Sequence, residues 1–331
     1  MPENRTTRTG RTEHTEHTER PDRTGRGERD GNGRAERAAP GTPVTEAGHT
    51  LRREVPSTLG LLADAQDFAA MRGYDTFPFE DHQDYLRQVD ALLASLAAQE
   101  VHTVVALFDP DDFADYCADH GLDPDTPGAR TRFTAELGGA GLPYTGQPVA
   151  ELVPLLVDEA VRQATWEYAT LLLAGLGACA DCGQDIGHAS FERAGLVLER
   201  FLEHGGPGHH HLVASIPTQD EQLVAVLHAD TGGAPGAEPV IAGRDGLDFV
   251  TVLAAGIALG GPGGVVLRTS RPGAKDRVHG WRLAGGNLVP LSAAAVFNAY
   301  CTDADTGEPV APEPGVEYCP GFEVDPPGPH H

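Results

Sequence analysis

Lysine is nearly missing from this sequence. Of its 24 basic residues, 23 are arginines, and the one lysine is Lys275. A Walker-type phosphate loop needs Gly-Lys-Ser/Thr, whereas Lys275 stands in Ala-Lys-Asp, so P-loop nucleotide chemistry is excluded. The Val-Ala-Ile-Lys strand of protein kinases is absent as well, and a Schiff-base lysine would have this single position to occupy. Long apolar runs are also lacking: nothing approaches the roughly 18–20 residues of a membrane span. The opening Met-Pro-Glu-Asn-Arg carries no apolar stretch of the kind a secretory signal has, so the expectation is a cytoplasmic protein without a membrane partner. None of the six serines sits in Gly-x-Ser-x-Gly, and the glycine-rich 260–264 precedes a strand instead of following one. That argues against a nucleophile elbow and a dinucleotide loop.

What is present is acid. The formal charge is −25, and it is unevenly spread. Residues 1–56 hold 11 arginines and 10 acids, while 57–331 hold 13 basic and 39 acidic residues, a net of −26. A body so acidic repels phosphate backbones, so no nucleic acid is expected on it. The arginine bias, with abundant alanine, glycine and proline, is what the codon usage of a GC-rich bacterial genome produces.

Residues 1–56 are low in complexity, with a short repeat of Thr12-Glu13-His14, Thr15-Glu16-His17 and Thr18-Glu19-Arg20. So few apolar residues cannot offset the entropy of ordering, and a disordered tail is expected there. A second disordered tail is expected over 321–331. Between them the periodicities predict an α+β protein. A mainly helical region with one or two strands covers 57–205, and an α+β sheet domain covers 206–320.

In the first region, Tyr85, Val89, Leu92 and Leu96 form one face of a helix over 78–99, followed by a strand over 101–108. A long helix over 149–176 is expected to bury Val157, Val161, Ala164, Tyr168 and Leu172, with Asp158 pairing Arg162. From 189 onward the order is αββαβββα, which predicts a five-stranded antiparallel sheet with flanking helices. Asp245 is the expected N-cap of the helix over 247–259, and Ser292 that of the last helix.

Two constellations carry chemistry. Cys179-Ala-Asp-Cys182-Gly is a tight turn that aims two thiolates at one cation, half of a zinc knuckle. Cys301 and Cys319 supply the other half in a structural four-thiolate zinc site, and His188 is the alternative fourth ligand. Five cysteines in a reducing compartment favour metal and core roles over disulfides. Cys117 is expected in the core.

The second constellation is Asp109, Asp111 and Asp112 at the end of the strand over 101–108. Carboxylates there hold Mg²⁺ in several phosphoryl-transfer folds, although the same residues cap the next helix. His209–His211 alternate along an extended chain, so at most two of them can meet one ion. The expected function is a non-enzymatic interaction or regulatory module with a structural zinc site and a protein partner. The alternative is a divalent-metal-dependent phosphoester hydrolase using Asp109, Asp111 and Asp112.

Overall fold

The structure is a computed structural model that describes residues 57–232, 238–303 and 306–324. These residues fall in one compact unit spanning Gly48–His331. The expected tail over 1–56 and the end of the expected tail over 321–331 lie outside the described residues.

The architecture is α+β, with two hydrophobic cores in succession along the chain. The first is built on a three-stranded sheet of β1 (Ser57–Leu61), β2 (Thr103–Leu107) and β3 (Leu142–Pro143). β1 and β2 run parallel and β3 is antiparallel to β2. The crossover between the parallel strands carries α1 (Ala65–Met71) and α2 (His82–Ala98). After β2 come α3 (Pro110–His120) and α4 (Pro127–Glu136), each opening with proline just after a capping residue, Asp109 or Thr126. Proline costs little there because its missing N–H has no helical partner in any case. Helix α2 buries Tyr85, Val89 and Leu93, while Leu92 points to solvent. The expected stripe was therefore right for one and a half turns and then slipped by one residue.

Helix α5 (Val149–Gly175) joins the cores, and the expected stripe holds only in its second half, where Tyr168 and Leu172 pack against the second core. Val149, Leu152 and Leu156 are buried in the first core and Ala169 in the second. Val157 and Val161 are 43% and 61% exposed, and Ala164 is exposed as well. A helix that serves two cores in turn rotates its buried face midway, so one continuous stripe fitted to its second half selects the wrong side of its first half. Arg162 pairs with Glu159 and with Asp248 (2.5 Å) rather than with Asp158.

The second core lies between two helices and a seven-stranded sheet. The helices are α6 (Ile186–Gly205) and α7 (Asp245–Leu259). The sheet comprises β4 (His209–Pro217), β5 (Gln222–Asp230), β6 (Val240–Ile241), β7 (Gly263–Ser270), β8 (Asp276–Ala284), β9 (Asn287–Pro290) and β10 (Val316–Tyr318). Its order is β10-β8-β7-β4-β5-β6, with β9 also on β8. The five expected strands pair antiparallel, and two short strands extend them: β6 on β5, and β10 parallel to β8. Gly285 and Gly286 turn β8 into β9 with φ of 57° and 76°, the left-handed backbone that a two-residue hairpin requires. A Cβ on Gly286 would stand 2.7 Å from the carbonyl oxygen of Ile257.

Ser292 caps α8 (Ala293–Tyr300) as expected, but Asp245 does not cap α7. The capping position is Arg244, which makes no side-chain cap, and the Asp245 carboxylate instead accepts from the backbone N of His228 (3.3 Å). Two boundaries also move. Helix α6 belongs to the second core, so the cores divide within α5 and not at 205. At the other end Phe322 and Val324 pack into the second core, so the ordered chain continues past 320. No helix among the described residues is long and apolar enough to cross a membrane.

Candidate functional site on the open face of the C-terminal sheet

Side chains of a strand alternate between faces, so half of β4, β5 and β7 looks away from the core. The inward set includes Leu212, Ala214 and Ile216 on β4 and Leu223, Ala225 and Leu227 on β5, all buried beneath α6 and α7. The outward set forms rows fixed by register. Val226, Val213 and Val266 lie side by side on β5, β4 and β7. His228, His211 and Arg268 form the next row, and Asp230, His209 and Ser270 the one after. Helix α8 covers this face at β8, where Val296 and Leu291 stand over Gly280. Over β5 the face is open: Val224 is 45% exposed and Val226 38%. Acids flank it at both ends, with Asp220 and Glu221 at the β4–β5 turn and Asp230 and Asp245 at the far end.

The histidine triplet divides as a period of two requires. His210 turns inward, where its ring meets the hydroxyls of Thr269 (3.0 Å) and Thr231 (2.6 Å) and the carbonyl of Gly206 (2.9 Å). Burial lowers its pKa, which favours the neutral ring, and its contacts make it a structural group. His209 faces out and lies 3.1 Å from Asp230. His211 faces out and its ring lies on that of His228, with centroids 4.8 Å apart and planes 23° apart. His228 Nδ1 is 3.4 Å from Asp245 Oδ2. Beyond this row is a cleft of about 680 Å³ whose lining includes His209, Asp230, Glu238, Val240 and Arg271.

The cysteines fall at three points of the fold. Cys179 and Cys182 occupy the connection between α5 and α6, a tight hairpin. Cys179 N donates to Gln184 O (2.8 Å), Gly183 N donates to Cys179 O (2.8 Å), and Ala178 bridges Asp185. Cys301 ends α8, and Cys319 follows β10, its N donating to Val278 O. Burial, reinforced by Glu317, raises the Cys319 thiol pKa. His188 lies 3.3 Å from Glu192 on the first turn of α6. Among the described residues no three His, Cys, Asp or Glu side chains are grouped to hold a metal ion. The four cysteines are thus not gathered into one cluster. Cys117 is buried in the first core, as expected.

Asp109 caps α3 with one carboxylate oxygen, accepting from Asp111 N (2.7 Å) and Asp112 N (3.2 Å). Asp64 does the same for α1 at the end of the neighbouring parallel strand. Between them lies Asp67, whose pKa is raised by burial and then by Asp64 and Asp109. Burial, then Asp109 and Asp115, raises Asp112. Sequence reasoning found the acids after β2 but not those after β1, because the parallel pairing that adjoins them is not local. The His211–His228 pair was missed too, yet its signal was present. The four-residue 218–221 turn between two strands fixes the register that sets these residues opposite each other.

The family described as Domain of unknown function (DUF8829) matches residues 46–147. The match ends just before α5, so it takes in the three-stranded sheet of the first core and stops short of the seven-stranded one. No curated protein and no solved structure matches the chain.

Proposed function

We propose that this chain is a non-enzymatic interaction or regulatory module of the cytoplasm, which binds a protein partner through the open face of its C-terminal sheet. The observation that supports this reading most is the valine row Val226–Val213–Val266, continued by Val224 and left uncovered where β5 ends the broad part of the sheet. Single exposed apolar residues are ordinary, but contiguous ones on a flat face read as a contact surface. The acids at both ends of the open face specify the partner's chemistry: an apolar centre with a basic rim.

The test uses a paired capture experiment. Tagged full-length protein and its Val224→Glu and Val226→Glu variants are incubated with native cytosol at low salt. Both positions are exposed, so the variants should fold within about 0.5 kcal/mol of the parent. A bound species that the parent retains and both folded variants lose supports the reading. The same retained set on parent and variants would end it.

The reading includes structural zinc, carried by the Cys179–Cys182 turn as a two-thiolate half-site with two of four positions left to other ligands. Purified full-length protein is expected to hold about one equivalent of zinc. Less than about 0.2 equivalents, with an unchanged melting temperature in Cys179→Ser, removes zinc from the proposal.

A further inference from the structure

The pairing of β4 with β5 decides which outward side chains meet most closely. His228 turns its backbone away from β4: its N donates to Asp245 Oδ2 and its O accepts from Ala242 N (3.2 Å). Backbone direction alternates along a strand, so Leu227 and Ala229 bond to β4 and His228 does not. His211 and His228, directly opposite in register, are therefore a non-hydrogen-bonded pair. That class sets facing Cα atoms at about 4.5 Å, against about 5.5 Å for the bonded class. The ring contact described above is the result, and both side chains remain exposed.

We propose that His211 and His228, their exposed rings turned out of the stack so that an in-plane lone pair of each reaches one ion, form a two-imidazole site for a divalent transition-metal cation, with Asp245 beside His228 Nδ1 so that Nε2 is left for the ion. Imidazole suits Cu²⁺, Ni²⁺ and Zn²⁺, and a carboxylate behind a ligating histidine fixes its tautomer and orientation. The charged neighbours permit a cation. Arg268, beside His211 on β7, is bound by Asp276 and Glu313. His209, in the next row, lies against Asp230, and Asp245 adds negative charge beneath His228. This site is independent of the partner-binding reading and of the cysteine half-site.

The test is calorimetric titration of full-length protein with CuCl₂, NiCl₂ and ZnCl₂, with circular dichroism reporting the fold of each variant. His211→Ala and His228→Ala are each expected to remove the same single equivalent, and the double variant to remove no more. Cu²⁺ should bind tightest of the three. Asp245→Asn should weaken that equivalent about 10-fold. The proposal is overturned if the parent and both single variants bind equal numbers of ions. It is also overturned if the double variant loses two equivalents, because the rings would then bind separately.

Discussion

Replacing Trp281 by alanine is expected to cost the protein about 3–5 kcal/mol of folding stability. The ring is 1% exposed at the centre of the second core. It meets Phe201 of α6 edge-on at 4.6 Å and Phe322 at 4.9 Å, so one side chain joins the helix layer, the sheet and the C-terminal segment. Its Nε1 also donates to the carbonyl of Phe322 (2.7 Å). Trp281→Phe separates the two contributions: it keeps much of the apolar volume but strands that carbonyl, for about 1–3 kcal/mol. Urea unfolding followed by circular dichroism measures both. A loss under about 1 kcal/mol for Trp281→Ala would mean that the core closes over the gap far better than cores of this kind do.

The second large effect is expected at Arg162. Its guanidinium meets Glu159 and the buried carboxylate of Asp248, tying α5 to α7. Arg162→Met leaves that carboxylate with the distant Arg244, whose Nη2 is 3.8 Å from Oδ1. A buried charge deprived of its partner costs about 3–5 kcal/mol, and Arg244 places this case near the lower figure. Replacing both members, Arg162→Met with Asp248→Leu, should recover most of the loss, because a buried ion pair is worth little more than apolar residues of similar size. If the double variant is as unstable as the single one, the pair holds the helices by specific geometry and not by cancelling charge.

Much of the fold was legible from local signals. Asp109 and Ser292 ahead of their helices, the glycines of the β8–β9 turn, and the alternation of β4 and β5 all act within a few residues. What was not legible is non-local. β3 and β6 are two residues each and exist only because a neighbouring strand bonds to them. One partner of Arg162, Asp248, is 86 residues away, and the other, Glu159, stands next to the expected Asp158, which does not pair. The final segment, rich in proline and glycine, reads as a tail until Trp281 is seen to need the carbonyl of Phe322. The candidate site divides in the same way. The outward faces of His209 and His211 follow from the period of two, whereas the meeting of His211 with His228 needs the register. The cysteine spacing showed a turn, but spacing cannot say whether Cys301 and Cys319 come near it.

Helix α5 has a consequence for cooperativity. Its 27 residues make a rod about 40 Å long, with its first turns in one core and its last in the other. Neither core can lose its grip without leaving half of the rod unsupported, and helical segments of that length are marginal in water on their own. Loosening in one core is therefore felt in the other as fraying of a shared element. The sheet that carries the open face is linked through α7 and α5 to the region that matches the DUF8829 family.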